Sequence, residues 1–234
     1  MEPFSLSDRT ALVTGASRGI GRATALRLSA AYDIIAVARS ASELASLQEE
    51  IEIGGGVCRT IPLDIADERA VGTALRGLEV DVLVNNAGVA TMKPFLELTS
   101  AEWHRMVDVN FNSLYYVTHA LIGGMVQRQR GFVVTIGSLA GRNTFVGGSC
   151  YAATKHAVNG FTESLMLEVR DAGVRVAVVM PGSVATDLTP STGDQSWKLT
   201  SNQIADSVWY LVTQPASVLV SRIEIRPARA KGSR

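Results

Sequence analysis

The stretch TGASRGIG, residues 14–21, sits between a short β-branched run, ALVTG (11–15), and a helical pattern, GIGRATALRLSAA (19–31). Its glycines, Gly15, Gly19 and Gly21, are spaced G-x3-G-x-G. Glycine allows the tight turn and lets backbone N–H groups approach a pyrophosphate at a helix N-terminus. A glycine pattern alone marks only a turn. Its place between a first strand and a first helix makes it a dinucleotide loop.

The rest of the chain repeats that alternation. DIIAVAR (33–39), VCRTIPLD (57–64), VDVLVNNAG (80–88), FVVTIGS (132–138), VRVAVVMPG (174–182) and SVLVSRIEI (217–225) read as further strands. Between them lie helical patterns at 41–53, 67–77, about 100–130, 149–172 and 201–213. Nearly continuous apolar strands separated by helices predict a parallel sheet covered on both faces. Right-handed crossovers make it a Rossmann-type doubly wound α/β sheet of about seven strands, expected to form one domain over residues 1–234. The triple glycine at 54–56 reads as a helix-to-strand loop. Ligands on such a sheet bind beyond the C-terminal strand ends.

Composition narrows the function. The chain has 47% hydrophobic and 19% charged residues, with a formal net charge of zero. That balance offers neither nucleic acid nor a membrane surface an electrostatic footprint. No apolar run approaches the ~20 residues of a bilayer span, and MEPFSLSDRT lacks the pattern of a signal peptide. Two cysteines without CxxC spacing, Cys58 and Cys150, predict no metal site, no disulfide framework and a reducing, cytoplasmic setting. Cys150 reads as a small buried filler.

An acid at the end of the second strand would accept from a free ribose 2′-hydroxyl. Here Ala38 and Arg39 stand there instead, and Arg18 lies in the glycine loop. Two guanidiniums suit a 2′-phosphate, so NADP(H) is expected over NAD(H). Asp64, ending the third strand, reads either as an acceptor for the adenine amino group or as a helix N-cap.

Tyr151 and Lys155, in SCYAATKHAV (149–158), lie four residues apart, so they share a helix face. A cation near the phenol would lower its pKa toward the range useful for proton transfer. Ser138 ends the preceding strand, where its hydroxyl would meet a substrate carbonyl. Asn110, a polar residue inside a helical run, can bend the helix or hold a water.

Together TGASRGIG, NNAG (85–88), Asn110, Ser138, YAATK (151–155) and PGSVAT (181–186) resemble the short-chain dehydrogenase/reductase family over almost the whole chain. The resemblance implies hydride transfer between a nicotinamide and a ketone, aldehyde or secondary alcohol. Tyr151 would be general acid/base and Ser138 would polarise the carbonyl. Lys155 would bind the nicotinamide ribose and lower the tyrosine pKa, and Asn110 would support a proton-relay water. The implied cofactor site comprises Gly15, Ser17, Arg18, Gly19, Ile20 and Gly21 in the first loop and Arg39 after the second strand. It continues with Asp64 and Ile65, with Asn86, Ala87 and Gly88, and with Pro181, Gly182, Val184 and Thr186, while Tyr151 and Lys155 complete it. Homodimers or homotetramers are the family's usual state.

Val89, Met92, Leu139, Phe145, Val146, Leu188 and Trp197 are expected near the substrate, which favours an apolar or weakly polar carbonyl compound. Arg142 reads as a solvated arginine more readily than as a contact to an anion. The short span from Gly182 to the helix at 201 suits an open site and a broad-range carbonyl reductase. The alternative enzyme is a 3-oxoacyl-[acyl-carrier-protein] reductase, with Arg128 and Arg130 read either as facing an acidic carrier or as a basic helix C-terminus favoured by the macrodipole, although the tail SRIEIRPARAKGSR departs from that branch. A non-catalytic NADP-sensing protein is the alternative of another class.

Overall fold

The computed structural model describes residues 9–188 and 193–229. Seven parallel strands form one sheet in the order β3-β2-β1-β4-β5-β6-β7. They are β1 (Thr10–Thr14), β2 (Asp33–Ala38), β3 (Cys58–Pro62), β4 (Val82–Asn85), β5 (Gly131–Ile136), β6 (Val174–Pro181) and β7 (Arg222–Ile225). The order reverses between β1 and β4, which both pair in parallel register: Leu12 faces Ile35 on one side and Leu83 on the other. That reversal opens a crevice at the C-terminal strand ends.

Side-chain alternation divides the core in two. Ala11, Val13, Ile34, Ala36, Val84 and Val179 point to one face. There they meet α1 (Gly19–Leu28), α2 (Ala41–Ile53) and α7 (Ser201–Val212). Leu12, Ile35, Leu83, Val133 and Val176 point to the other. They meet α3 (Glu68–Leu75), α5 (Ser113–Gln127) and α6 (Ser149–Val169). The predicted α2 stripe of Leu44, Leu47 and Ile51 is the buried face of that helix. One such leucine cut to alanine costs about 2–5 kcal/mol, whereas an exposed ion pair such as Arg27–Asp206 contributes about 1 kcal/mol at most. The sheet core therefore holds the site in place.

Local chemistry sets the boundaries. Ser40 and Asp67 cap α2 and α3 by accepting from Glu43 N and Ala70 N. α4 (Ser100–Val107) starts at a capping box of Thr99 and Glu102. Thr200 and Gln203 form another at α7. The helical region expected over 100–130 is not continuous: a single π turn, Asp108–Asn112, separates α4 from α5. β4 ends at Asn85, so most of NNAG is loop. β7 is shorter than its apolar run, because 217–221 lie outside the ladder.

Candidate active site

The glycine loop is built around two left-handed residues, Gly15 at φ +65° and Gly19 at φ +56°. An added Cβ on Gly21 would stand 2.1 Å from the Gly15 carbonyl oxygen, so helix and turn touch through bare backbone. The loop is tied to the β4 end by Thr14 and Asn86. Asn86 N–H donates to Thr14 Oγ1 at 3.0 Å, and Asn86 Nδ2 donates to Thr14 O at 2.9 Å. Ala87 N–H also reaches Thr14 Oγ1, at 3.2 Å. Sequence reading placed Asn86 at the cofactor but missed this supporting role and Thr14's. The partners are some 70 residues apart in the chain.

One cleft of about 1070 Å³ runs across the C-terminal strand ends. All the predicted site residues line it except Gly21 and Asn110, which pack behind the lining. At one end Arg39 is exposed beside Ala38, with Ser40 next to it. Arg18 lies across a 3.6 Å ion pair from Asp187, both largely exposed. Asp64 is not the α3 cap, since Asp67 fills that position. Asp64 instead accepts from Ala66 N–H at 3.1 Å and pairs with Arg105 at 3.4 Å. Ser40, Glu43 and Arg105 line this end too, although no local pattern had marked them.

At the other end, Ser138 lies two residues beyond β5 and accepts from Ala140 N–H at 3.0 Å. Its turn is pinned from below by Asn159 Nδ2, which donates to Gly141 O at 3.0 Å. Tyr151 and Lys155 share the inner face of α6 and are both buried. The Lys155 ammonium donates to Ile136 O at 3.0 Å. Burial pushes its pKa down to about 8. Burial also pushes the Tyr151 phenol up, and a hydrogen bond with Ser138 brings it partly back. The shift thus runs upward, opposite to the lowering expected from Lys155, because loss of water around the phenol dominates.

Asn110 lies in the π turn, as its unusual position in a helix foreshadowed. Its Oδ1 accepts from Val89 N–H at 2.8 Å, while Nδ2 donates to Val89 O at 2.9 Å and Thr154 Oγ1 at 3.2 Å. The side chain thus locks the loop after β4. A small polar cavity of about 10 Å³ lies between Asn110, Ser113, Thr14 and Lys155. Gly88 separates Asn110 from Lys155: an added Cβ would be 3.4 Å from Asn110 Oδ1 and 3.9 Å from Lys155 Nζ.

Of the apolar residues expected near a substrate, Val89, Leu139, Phe145, Leu188 and Trp197 line the cleft. Met92 and Val146 do not, and Val146 is fully exposed. Phe145 packs against Gly148, where an added Cβ would meet its ring at 2.4 Å. Arg142 is turned away from the cleft to pair with Glu224. The loop predicted at 182–200 and the tail include residues 189–192 and 230–234, which lie outside the described residues. Cys150 is buried beneath Tyr151 against Trp103 and Met106, a filler as expected. Among the described residues no helix is long and apolar enough to cross a membrane.

The family described as short chain dehydrogenase matches residues 9–197. Sulfoacetaldehyde reductase 2 of Chromohalobacter salexigens is 35% identical, over 93% of this chain and 94% of that protein. NADP-dependent 3-hydroxy acid dehydrogenase YdfG of Escherichia coli K12 is 32% identical, over 92% and 94%. Among solved structures, a metagenomic short-chain oxidoreductase in complex with NADP superimposes with a TM-score of 0.85 at 34% identity, covering 96% of this chain and 99% of that one. Serine dehydrogenase from Escherichia coli gives a TM-score of 0.82 at 32% identity, covering 92% and 96%. Sequence motifs, sheet order and site geometry agree with these likenesses, and the chain belongs to the short-chain dehydrogenase/reductase family, oxidoreductases that act on CH–OH and C=O groups.

Proposed function

We propose that this protein is an NADPH-dependent carbonyl reductase and alcohol dehydrogenase, working as one domain, with Tyr151 as general acid/base. The observation that carries this reading is the convergence of Ser138, Tyr151 and Lys155 at one end of a single cleft whose other end is a glycine cradle.

The residues present fit a nicotinamide dinucleotide. Gly15 and Gly19, both left-handed, and the close approach at Gly21 form a cradle that any Cβ would disturb. Its N–H groups at the start of α1 suit the pyrophosphate. Arg39, Arg18 and Ser40 offer donors to a 2′-phosphate, and Ala38 replaces the acid that would otherwise end β2. The NADP named in similar structures supports the same choice. Asp64 and Ile65 flank the adenine end, and Ala87, Gly88, Pro181, Gly182, Val184 and Thr186 flank the nicotinamide end. When bound, the nicotinamide supplies or accepts the hydride.

The chain's own groups handle the oxygen and its proton. Ser138 Oγ donates to the substrate oxygen and fixes its position. Tyr151 then gives its proton to the alkoxide as that develops. Burial disfavours the charged phenolate, and the hydrogen bond with Ser138 offsets part of that. Lys155 uses one of its three donors on Ile136 and has others for a ribose hydroxyl. Asn110 holds the Val89 backbone beside the small polar cavity, which has room for about one relay water. A homo-oligomer is part of the reading: exposed Tyr115 on α5 and Leu167 on α6 offer apolar contact area. Two buried free thiols suit a cytoplasmic setting.

The test is a carbonyl panel with NADPH and with NADH, followed by loss of reduced-nicotinamide absorbance. Wild-type protein should consume NADPH with at least one member. Tyr151→Phe should lower kcat about 10²–10⁴-fold with intact cofactor binding. Equal rates for the two proteins would refute the assigned mechanism. Cofactor binding without turnover across the panel would leave the sensing protein as the better reading.

A further inference from the structure

The segment just beyond β7 brings positive charge to the cleft. Ile225 O accepts from Gly182 N–H at 2.8 Å. This bond carries the chain beyond β7 over the end of β6. There an added Cβ on Gly182 would lie 3.2 Å from Leu139 Cδ1 and 3.3 Å from Pro227 Cδ. Arg226 thus lines the same cleft as Ser138 and Tyr151, and Arg229 lines it as well.

The charges around Arg226 do not cancel. Glu224 is shared by two guanidiniums: it pairs closely with Arg142 and lies 3.3 Å from Arg226. Arg142 is the main reason its carboxyl is held below the usual range, and Arg226 contributes less. Two cations on one carboxylate leave a surplus of one positive charge, and that surplus falls on Arg226. Asp187, another acid of the cleft, faces Arg18 at the Arg39 end.

We infer that Arg226 is a specificity-determining residue that anchors the carboxylate of a short oxo or hydroxy acid, so that the substrate class is anionic rather than apolar. A guanidinium presents a planar fork matched to a carboxylate. Phe145, Leu139 and Trp197 pack the uncharged part of a small substrate between that fork and Ser138. Glu224 tunes the anchor by competing for it. This inference deepens the reading of the same site as a carbonyl/alcohol oxidoreductase and rests on it for the word substrate.

The experiment is calorimetric binding at low salt to the protein saturated with NADP+, and to the protein without it. The probes are 3-hydroxypropanoate and its uncharged methyl ester. Wild type should bind the acid at least about tenfold tighter than the ester. Arg226→Gln should collapse that preference to about two-fold or less, and Arg226→Lys should keep part of it. Equal binding of acid and ester by wild type, or binding of neither, overturns the inference. So does a preference that survives Arg226→Gln. Should that variant fail to fold, Glu224→Gln decides: it should tighten acid binding about threefold without tightening the ester, and unchanged acid binding overturns the inference. Turnover is read separately. A charge preference without oxidation of either probe, and without turnover of the carbonyl panel, defeats the proposed function alone. Equal catalytic efficiency on acid and ester defeats the anionic class alone.

Discussion

The Lys155 ammonium stands 5.9 Å from the centroid of the Tyr151 ring, one helical turn away on α6. It is held there by the carbonyl of Ile136, the last residue of β5. The pair therefore belongs to two elements: the helix sets its spacing, and the strand sets its depth. Depth has a cost, because both groups are buried and each is disfavoured in its charged form.

That cost has a pH signature. The Lys155 pKa is about 8 in the folded protein against an ordinary 10.5. Below pH 8 the lysine is charged in both states, and the folded state bears the full penalty. From pH 8 to 10.5 the unfolded chain binds more protons than the folded one, so this group makes stability rise with pH. The difference corresponds to about 3 kcal/mol across the window. Lys155→Met should lack this rise. Urea unfolding of cofactor-free protein at pH 7, 9 and 10.5 measures it. Parallel profiles for the two proteins would contradict the burial argument.

Gly21→Ala should damage the cradle from within. Its Cβ would meet Gly15 O at 2.1 Å and Asn86 Nδ2 at 2.5 Å. Overpacking of this kind costs about 1–3 kcal/mol, and NADPH affinity should fall at least about tenfold, since the loop must shift. Gly123→Ala is the control, because nothing lies within 4 Å of the added atom. In the middle of α5 it should be neutral or stabilise by up to about 1 kcal/mol. Thermal melts and cofactor fluorescence titration compare the two.

Arg39→Asp separates the cofactors. Loss of charge-assisted bonds to a 2′-phosphate, with an acid now facing it, should weaken NADPH by roughly 10–100-fold. NADH binding should hold or improve, since the new carboxylate can accept from the 2′-hydroxyl. Equal weakening of both cofactors, in fluorescence titrations, would remove the 2′-phosphate from the argument.

Asn110→Ala should loosen the loop after β4. It strands the Val89 N–H and C=O, which Asn110 satisfies at 2.8 and 2.9 Å. A loss of about 2–3 kcal/mol in stability is expected, with faster amide exchange at Val89. Asn110→Asp can still accept from Val89 N–H and should fall between the two. Hydrogen exchange followed by mass spectrometry reads both effects.

How far local sequence reaches is visible residue by residue. Gly15, Gly19, Tyr151 and Lys155 were legible because each answers to a backbone or helical constraint within a few positions. The two-sided sheet was legible because buried parallel strands need apolar runs. The break in the 100–130 helix was legible only as an odd asparagine, since a π turn leaves no periodicity of its own. The direction of the Tyr151 pKa shift was misread, because spacing reports a neighbouring charge but not the loss of water around it.

By itself, then, the sequence determined the alternation of strands and helices, the glycine cradle and the helical pairing of phenol with ammonium. These depend on short-range geometry: left-handed backbone, a 3.6-residue period, apolar strand faces. Only the tertiary structure decided that Thr14 and Asn86 brace the cradle, that Arg142 turns away to Glu224 and that Arg226 reaches the cleft. Those relationships join residues about 70 or more apart in the chain. They exist because the crossovers bring the strand ends to one edge, a through-space fact that no local pattern encodes.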